Sequence, residues 1–489
     1  MGMVTLISDL KQVRSETRII VVPDNYATIQ AAINAANPGD TIFVKNRTYY
    51  EHVVMNKTVS LVGQNRETTI IDGGGIGNVT EVTADNVTVT GFTIRNAEAW
   101  AGSGIALSQV TNCNVFGNNI QANNCSDGIW LHSSSNNGIT GNNITNNWDG
   151  ISLWNSSCNN ITGNNIKAND HYGIMNSGSS NNDSITGNNI EDNDYGIVFW
   201  HSSHNKVVGN NIANNSNGIW LWNLSHENSI TGNSIKANRV DGIMVSLSSK
   251  NTSITGNNIT GNMGKGISLC CLSSNSTVTG NNIANNYYAI WLYYTSNNSV
   301  FHNNFVENQD AYIFESYGDS WDNGHPSGGN YWSNYTGTDA DHDGIGDTPY
   351  IVYADSIDNY PLMGIFSDFN ATPEYHIQTI CNSSISDFTF NGTAISFNVS
   401  GKDGTTGFCR IGVPTALMNG TYEVFVNDIE VQYNLLPHSD GKDNYLYFTY
   451  DHSTKKVLIT PEFSSLLIAP LFMIATLLAV IVYRRKRSQ

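Results

Sequence analysis

An Asp-rich loop in the last third of the chain has the residue types and spacing of a hard-cation site. Carboxylates occupy positions 1, 3, 5 and 9 of the segment 339–350, and Gly344 at position 6 permits a sharp turn. Position 12 is Tyr350, where an EF-hand has Glu, so the last ligand is open, with Asp358 as a candidate. The alternative is a run of solvated turns, although unpaired carboxylates this close would repel one another without a cation. The predicted Ca²⁺ ligands are the side chains of Asp339, Asp341, Asp343 and Asp347 and the carbonyl oxygen of Ile345.

Large aromatic residues recur in short segments that begin with Gly-Ile or Ala-Ile and then alternate. If the Ile points inward, the next residue points outward, and so does the residue two further on. Rings on one outer face can stack on the flat faces of sugars, and a stripe with one ring per repeat would follow a polysaccharide. The other interpretations are a face covered by protein, or a phase that is wrong by one residue. The predicted glycan-binding residues, beside His132, are Trp130, Trp154, Trp200, Trp220, Trp222, Trp291 and Tyr293.

Three aspartates that precede a glycine in these segments are candidate catalytic residues: Asp127, Asp149 and Asp241. The first two lie one repeat apart, which predicts a separation of about 5 Å, close to that of the carboxyl pair in retaining glycosidases. Asp before Gly is also an ordinary turn residue. A second acidic group consists of Glu191, Asp192 and Asp194.

All these segments belong to an internal repeat. A G-N-N-I string or a close variant recurs with its last residue 22 to 26 positions further along, and a second ladder of Ile residues runs in step with it. One repeating unit of about 23 residues explains both ladders. The first ladder ends at Ile94, Ile120, Ile144, Ile166, Ile190, Ile212, Ile235, Ile259, Ile283 and Phe305.

A single unit cannot bury its apolar face, so the units must stack on one another. Short alternating segments separated by Asn, Gly and Ser predict strands that each pair with the equivalent strand one coil further on. The sequence therefore predicts an all-β fold, a right-handed parallel β-helix of about 11 coils. The amphipathic segment 28–36 predicts a short helix that caps the first coil.

The repeats, the capping segment and the strings Pro38–Val44 and Thr69–Gly73 resemble the pectin-lyase-like superfamily of right-handed β-helix proteins, and within it the NosD-like group of carbohydrate-binding and sugar-hydrolase repeats. The resemblance covers roughly residues 20 to 363. It implies Ca²⁺-assisted chemistry with an Arg base in the lyase branch, and paired Asp with a G-H-G motif in the polygalacturonase branch. Residues 67–330 contain two arginines and no G-H-G, so this chemistry does not transfer.

The NosD resemblance also implies copper, delivered to a copper reductase alongside a transporter. Copper favours clusters of His, Met or Cys. The histidines are scattered, with His201 and His204 closest in sequence, and Cys270 and Cys271 form one adjacent pair. Copper handling is therefore the second alternative to glycan binding.

The composition shifts define six segments. We expect an N-terminal segment 1–18 without a readable signal peptide and a β-helix over 19–328. An Asp-rich closing segment at 329–363 is similar to the end of NosD-type helices, and period-two alternation predicts a β-sandwich stalk at 364–460. The last two segments are an apolar membrane span or sorting signal at 461–483 and a basic tail at 484–489.

The basic tail places the C-terminus in the cytoplasm and the rest of the chain outside. Many N-x-S/T sites suit a glycosylated surface protein, and Pro461-Glu462-Phe463 looks like an archaeal sorting signal. Seven cysteines leave Cys381 and Cys409 as the one disulfide candidate, with free thiols as the alternative. A net charge of −18 argues against nucleic-acid binding.

The sequence thus predicts a membrane-anchored cell-surface protein that binds glycans or envelope partners, including proteins, through its aromatic stripe. The alternative is a polysaccharide lyase or glycoside hydrolase that acts on the same face; whether the protein is an enzyme stays open.

Overall fold

The structure is a computed structural model of the chain, and it describes residues 17–121, 123, 125–436 and 441–462. These residues form two compact units. The first runs up to Ser299 and includes Glu307–Asp319, and the second consists of Val300–Val306 and the residues from Ser320 onward. The predicted segment 1–18 lies almost entirely outside the described residues.

The repeat folds as a parallel β-helix because each inward Ile stacks on the equivalent Ile of the next coil. Ile144 pairs in register with Ile166, which in turn pairs with Ile190. All three side chains are fully buried. The strands of each coil are short, so their stability comes from this shared core and from pairing with the coils above and below.

Three parallel sheets run along the helix. The first contains Ile19–Val22, Thr41–Val44, Ser60–Gly63, Thr88–Thr90, Asn114–Phe116, Gly138–Thr140, Asn160–Thr162, Ser184–Thr186, Lys206–Val208, Ser229–Thr231, Ser253–Thr255, Thr277–Thr279 and Ser299–Phe301. The second, called here the site sheet, contains Val53–Met55, Thr80–Val82, Ser103–Ser108, Asp127–His132, Ile151–Trp154, Tyr172–Ser177, Tyr195–Trp200, Asn217–Trp222, Ile243–Val245, Lys265–Cys270, Tyr288–Ser296 and Asp310–Tyr317. The third contains Arg47–Tyr50, Thr69–Asp72, Thr93–Arg95, Asn119–Gln121, Asn143–Thr145, Asn165–Lys167, Asn189–Glu191, Asn211–Ala213, Ser234–Lys236, Asn258–Thr260, Asn282–Ala284, Asn304–Val306 and Tyr331–Trp332.

The parallel β-helix is confirmed, but the predicted number of about 11 coils is too low. Two of the sheets have 13 strands and the site sheet has 12. The motif count missed the first coils, because strands such as Ile19–Val22 and Thr41–Val44 carry no G-N-N-I string. Their alternating apolar residues nevertheless pair in the same register as the later coils.

Buried asparagine ladders fix the turns between the sheets. The Asn164 side-chain amide donates to Asn188 Oδ1 at 3.0 Å and to the Ile139 carbonyl at 2.8 Å, while the Asn188 oxygen also accepts the Asn164 backbone N–H. Asn188 repeats the pattern with Asn210. Each ladder residue thus satisfies backbone groups that a tight buried turn would otherwise leave unpaired.

The predicted capping helix is present as Ile29–Ala35. The Thr28 side chain accepts a hydrogen bond from the Ala31 N–H at the N-terminus of the helix. Its apolar face, which includes Ile29 and Ile33, is fully buried.

The second unit contains a hairpin, Tyr350–Tyr353 with Ser356–Asp358, and the predicted β-sandwich. The sandwich has two antiparallel five-stranded sheets around an apolar core. One contains Ile365–Asn370, His376–Cys381, Thr406–Pro414, Asp443–Asp451 and Tyr433–Leu436. The other contains Ser384–Phe390, Ile395–Ser400, Lys455–Pro461, Tyr422–Val426 and Ile429–Val431.

Cys381 and Cys409, the disulfide candidate, face each other in register on neighbouring strands and are both buried. Both are free thiols in this structure. Within the described part of the chain, no helix is long and apolar enough to cross a membrane. The predicted span 461–483 and tail 484–489 lie outside that part from residue 463 onward.

Asp183 occupies a position in one ladder that Asn fills in neighbouring coils, and replacing it tests how the ladder contributes to stability. The Asp183 carboxyl accepts hydrogen bonds from Asn159 and Asn176, and burial raises its pKa to about 7. Because this pKa lies above that of the unfolded chain, the native state binds the extra proton between about pH 4 and pH 7, and stability falls as pH rises through that window. We expect Asp183→Asn to unfold at higher urea concentration than the parent at pH 8 and at nearly the same concentration at pH 4. Asp170→Asn, at an exposed site, is the control. If Asp183→Asn were less stable than the parent at pH 8, the raised pKa of the buried Asp183 carboxyl would be contradicted.

Candidate glycan-binding surface and acidic cleft

The outward aromatic residues of the site sheet lie where the alternation predicts. Ile129 and Leu131 are fully buried, while Trp130 and His132 between and after them are partly exposed. The same alternation holds at Trp220 and Trp222 around the buried Leu221. The in/out phase of the prediction is therefore correct.

These residues do not form one continuous stripe, however. Trp130 is followed in the next coil by Ser152, and Trp220 lies between Val198 and Met244. The aromatic residue is present in only some coils, so the predicted set divides into groups. These are Trp130 with His132; Trp200 with Trp220 and Trp222; Trp291 with Tyr293; and Trp154, which lies over Gly178.

The structure instead assembles a longer row of rings that the sequence analysis did not identify, called here the ring chain. Successive ring centroids are 3.6 to 5.8 Å apart. Every member is at least partly exposed, and Trp100 at one end is 70% exposed. In order of contact, the members are Trp100, Trp148, His171, Tyr172, Tyr195, Trp220, Trp222 and Trp200.

The ring chain follows the edge of the site sheet before it crosses onto its face. Tyr172 and Tyr195 occupy the position before the repeat glycine and are paired in register one coil apart. Tyr195 then stacks on Trp220, with ring centroids 5.6 Å apart, and the Trp220 indole N–H donates to Ser246 at 2.9 Å. The signal was present in the sequence, because Tyr occurs at a position that three other coils fill with Asp.

An acidic cleft of ≈ 440 Å³ lies at the Trp100 end of the ring chain. Trp100, Trp130 and Trp148 line it together with Asp127 and Asp149. The cleft therefore combines two of the predicted catalytic residues with aromatic surfaces suited to a sugar ring.

The two carboxyl groups of the cleft have different environments. Burial, and then the nearby charge of Asp149, raises the pKa of Asp127 to about 8, so Asp127 retains its proton at neutral pH. The Asp149 carboxylate accepts the Tyr172 backbone N–H at 3.1 Å and lies 3.2 Å from His171 Nδ1. One carboxyl group is thus held as an acid next to one stabilised as an acceptor, which is the division of roles that acid–base catalysis needs.

The other predicted acidic residues lie apart from the cleft. Asp241 is buried and accepts the Lys265 backbone N–H at 2.9 Å, and its second oxygen lies 3.5 Å from the Lys265 ammonium group. Glu191 and Asp192 pair with Lys167. Asp194 lies 3.8 Å from Arg239.

The Asp-rich loop brings three of its predicted ligands together. One carboxylate oxygen from each of Asp339, Asp341 and Asp343 lies within 4.8 Å of the others. The Asp347 carboxylate instead accepts the Ala340 N–H at 2.7 Å. The Ile345 N–H donates to Asp343 at 2.7 Å.

Asp358, the candidate last ligand, is also engaged elsewhere. It is buried and accepts hydrogen bonds from the Asn330 backbone N–H and the Trp332 indole. It is not part of the group of converging carboxylates in the described residues.

A buried arginine, which the sequence analysis did not assign to this loop, supplies positive charge to it. The Arg410 side chain packs against Gly344, donates to the Pro326 carbonyl and lies over the Tyr445 ring. Its charge interacts favourably with those of Asp343 and Asp339. Arg410 partly offsets the repulsion among these carboxylates.

A second group of rings occupies the far coils of the site sheet. Trp291 stacks on Tyr312 with centroids 4.0 Å apart, and Tyr293 stacks on Phe314 at 5.6 Å. The Lys265 ammonium group lies 5.0 Å from the Trp291 ring centroid. This group contains the remaining predicted glycan-binding residues, away from the ring chain.

Comparison with solved structures places this chain in a class. The A-module of the Azotobacter vinelandii mannuronan C-5 epimerase AlgE4 is similar at a TM-score of 0.50 and 18% identity, covering 59% of this chain and 91% of that one. The AlgE6 A-module from the same organism has a TM-score of 0.48 and 17% identity, covering 60% of this chain and 93% of that one. The DFA-IIIase of Arthrobacter chlorophenolicus A6 has a TM-score of 0.46 and 16% identity, covering 58% of this chain and 94% of that one. The fold is that of the pectin-lyase-like right-handed β-helix proteins.

The family follows from the sequence. The profile of the family described as periplasmic copper-binding protein (NosD) matches residues 33–219 and 180–337, which together span more than half of the chain. The chain belongs to the NosD family. Among curated protein sequences, nothing matches it.

The described residues do not fit the copper ion that this family description implies. The group of three or more His, Cys, Asp or Glu ligands that converges within them is all carboxylate, whereas copper favours nitrogen and sulfur. His201 contacts Asn223 and His204 contacts Glu227, so the two histidines have separate partners. Burial raises the pKa of the Cys270 thiol to about 12, which disfavours the thiolate that binds metal.

Calcium binding by the Asp-rich loop remains a prediction. If it is correct, chelation with EGTA will lower the melting temperature, because a ligand at 100 times its Kd stabilises a fold by about 2.7 kcal/mol. Asp341→Asn should abolish most of that shift, since Asp341 is exposed and is a member of the converging group. Asp355→Asn, in the neighbouring exposed turn, is the matched control. A melting temperature that does not respond to Ca²⁺ or EGTA would refute the site.

Proposed function

We propose that the protein binds a polysaccharide outside the cytoplasm and that the ring chain is its binding surface. The observation that carries the proposal is the unbroken contact of eight partly exposed rings, from Trp100 to Trp200, over several coils. Sugar rings have apolar faces and polar edges, and they stack on aromatic side chains that present an apolar face and a polar tip.

The composition of the surface supports a glycan over a protein partner at this position. The Asp127 and Asp149 carboxyl groups lie at one end of the ring chain, which itself contains the imidazole of His171 and the phenols of two tyrosines, so sugar hydroxyls have acceptors and donors along the path. The AlgE4 A-module, a mannuronan C-5 epimerase by name, uses the same fold on a polysaccharide. The family description as periplasmic, together with the predicted C-terminal anchor, favours a location at the cell envelope.

Removal of two central rings tests the proposal. We expect Trp220→Ala with Trp222→Ala to weaken binding by at least about tenfold, since stacked rings contribute roughly 0.5–1.5 kcal/mol each beyond their buried area. Affinity electrophoresis or calorimetry against a polysaccharide panel measures the effect. The matched control is Trp154→Ala, because Trp154 is 47% exposed on the same sheet but is not a member of the ring chain. Equal losses in both variants, or no loss in either, would exclude the ring chain as the binding surface.

A second function, cleavage of the bound glycan, is favoured by one observation: a protonated Asp127 next to the Asp149 carboxylate in a cleft lined by tryptophans. In this reaction Asp127 donates its proton to the glycosidic oxygen as the C–O bond breaks. Asp149 either takes a proton from the attacking water or attacks the anomeric carbon; in the second case, water deprotonated by Asp127 then breaks the bond between Asp149 and the sugar. The products are two shorter sugar chains, with the elements of water added across the broken bond.

The pH profile separates catalysis from binding. Asp127 acts as the acid only while protonated, so the rate of release of reducing ends should fall as pH rises through about 8. Asp149→Asn should abolish release while leaving polysaccharide retention intact, whereas Asp192→Asn, at an exposed site outside the cleft, should leave both intact. A chain that retains polysaccharide but releases no reducing ends under any condition would be a binding protein only.

A further inference from the structure

The charges around the ring chain identify the class of polysaccharide, an inference that rests on the function proposed above. We infer that the ligand is a neutral polysaccharide and that the surface discriminates against polyuronates. The acidic cleft at the Trp100 end of the ring chain contains the Asp149 carboxylate, and Lys167 and Arg239, two cations near the ring chain in the sequence, pair with carboxylates of the protein.

The cleft and its neighbouring coils contain a long stretch of sequence without positive charge. No Lys or Arg occurs in residues 96–166, and the acidic residues of that stretch are Glu98, Asp127 and Asp149. Asp127 and Asp149 line the cleft. Recognition of a sugar carboxylate normally uses Arg or Lys in a charge-assisted hydrogen bond, and this region supplies neither.

Two cations near the ring chain in the sequence, Lys167 and Arg239, are already paired. Lys167 lies 3.7 Å from Glu191 and 3.1 Å from Asp192. Arg239 lies 3.8 Å from Asp194. These pairs leave the surface acidic overall, since two of these three carboxylates share one ammonium group.

Other basic groups lie on a different sheet or have a partner. Lys206 begins a strand of the first sheet, and Lys265 pairs with Asp241 and contacts the second ring group. His171, a member of the ring chain, has Nδ1 3.2 Å from Asp149.

A uronate residue bound in the cleft would place its carboxylate near the Asp149 carboxylate, and like charges brought together at an interface are strongly unfavourable. A neutral hexose has a hydroxymethyl group at the same position. That group can donate a hydrogen bond to the Asp149 carboxylate. The surface thus selects against charge at C6 of the sugar while it retains the stacking that both kinds of sugar share.

Matched polysaccharide pairs test this selectivity: mannan with polymannuronate, galactan with polygalacturonate, and glucan with polyglucuronate. In low salt, we expect the full chain to bind the neutral member of at least one pair about tenfold or more tightly than its uronate. About 1 M NaCl should reduce this difference in affinity, because salt screens exposed charges. Loss of neutral binding in the Trp220→Ala, Trp222→Ala variant will show that the ring chain is the surface measured.

The double variant Asp127→Asn, Asp149→Asn should also reduce this difference in affinity, while Glu430→Gln, at an exposed site in the sandwich, should preserve it. If the double variant does not fold, the salt series on the unchanged protein provides the same test. A polyuronate bound as tightly as its neutral partner overturns the inference and leaves the proposed function standing. If the preference for neutral polysaccharides over polyuronates changes neither with salt nor in the double variant, the electrostatic cause of that preference is overturned. Absence of binding to every polysaccharide overturns both proposals.

Discussion

Registration of equivalent side chains between successive coils is the constraint on which this structure depends. In most coils the strands are three to six residues long, so a single coil has almost no core of its own. It is stable because Ile144 meets Ile166, and Asn164 meets Asn188, at the same height in the next coil. A slip of one residue would turn every Ile to solvent and leave every ladder amide without its carbonyl.

The same registration turns single positions of the repeat into columns on the surface. The position before the repeat glycine is partly exposed at Asp127, Tyr172 and Tyr195 and buried at Asp149. Where it holds Asp, in two successive coils, it builds the acidic cleft; where it holds Tyr172 and Tyr195, it extends the row of rings toward Trp220. Acid and aromatic groups are therefore parts of one column, and their order along the helix follows their order in the sequence.

The distribution of charge also follows from the contacts between neighbouring coils. Most acidic residues of the repeat have a partner, such as Asp241 with Lys265. In the cleft, Asp149 contacts His171, while Asp127 keeps a proton instead of pairing with a cation. In the second unit, the carboxylates of the Asp-rich loop have Arg410 beside them, so a charge within the protein contributes to their balance before any ion is considered.

The sequence by itself determined the repeat, the in/out phase of the strands, the capping helix and the sandwich. These features follow from local patterns of apolar and polar residues, and in the β-helix the same pattern recurs from coil to coil. It also identified Asp127 and Asp149 as neighbours, since residues one repeat apart must stack. Only the tertiary structure decided which rings touch. Trp100 and Trp148 lie two coils apart in sequence and in turns whose path the repeat does not specify, yet their ring centroids are 4.9 Å apart. Contacts across turns of variable length, like the approach of Arg410 to the Asp loop, depend on the folded path of the chain, which no periodic pattern encodes.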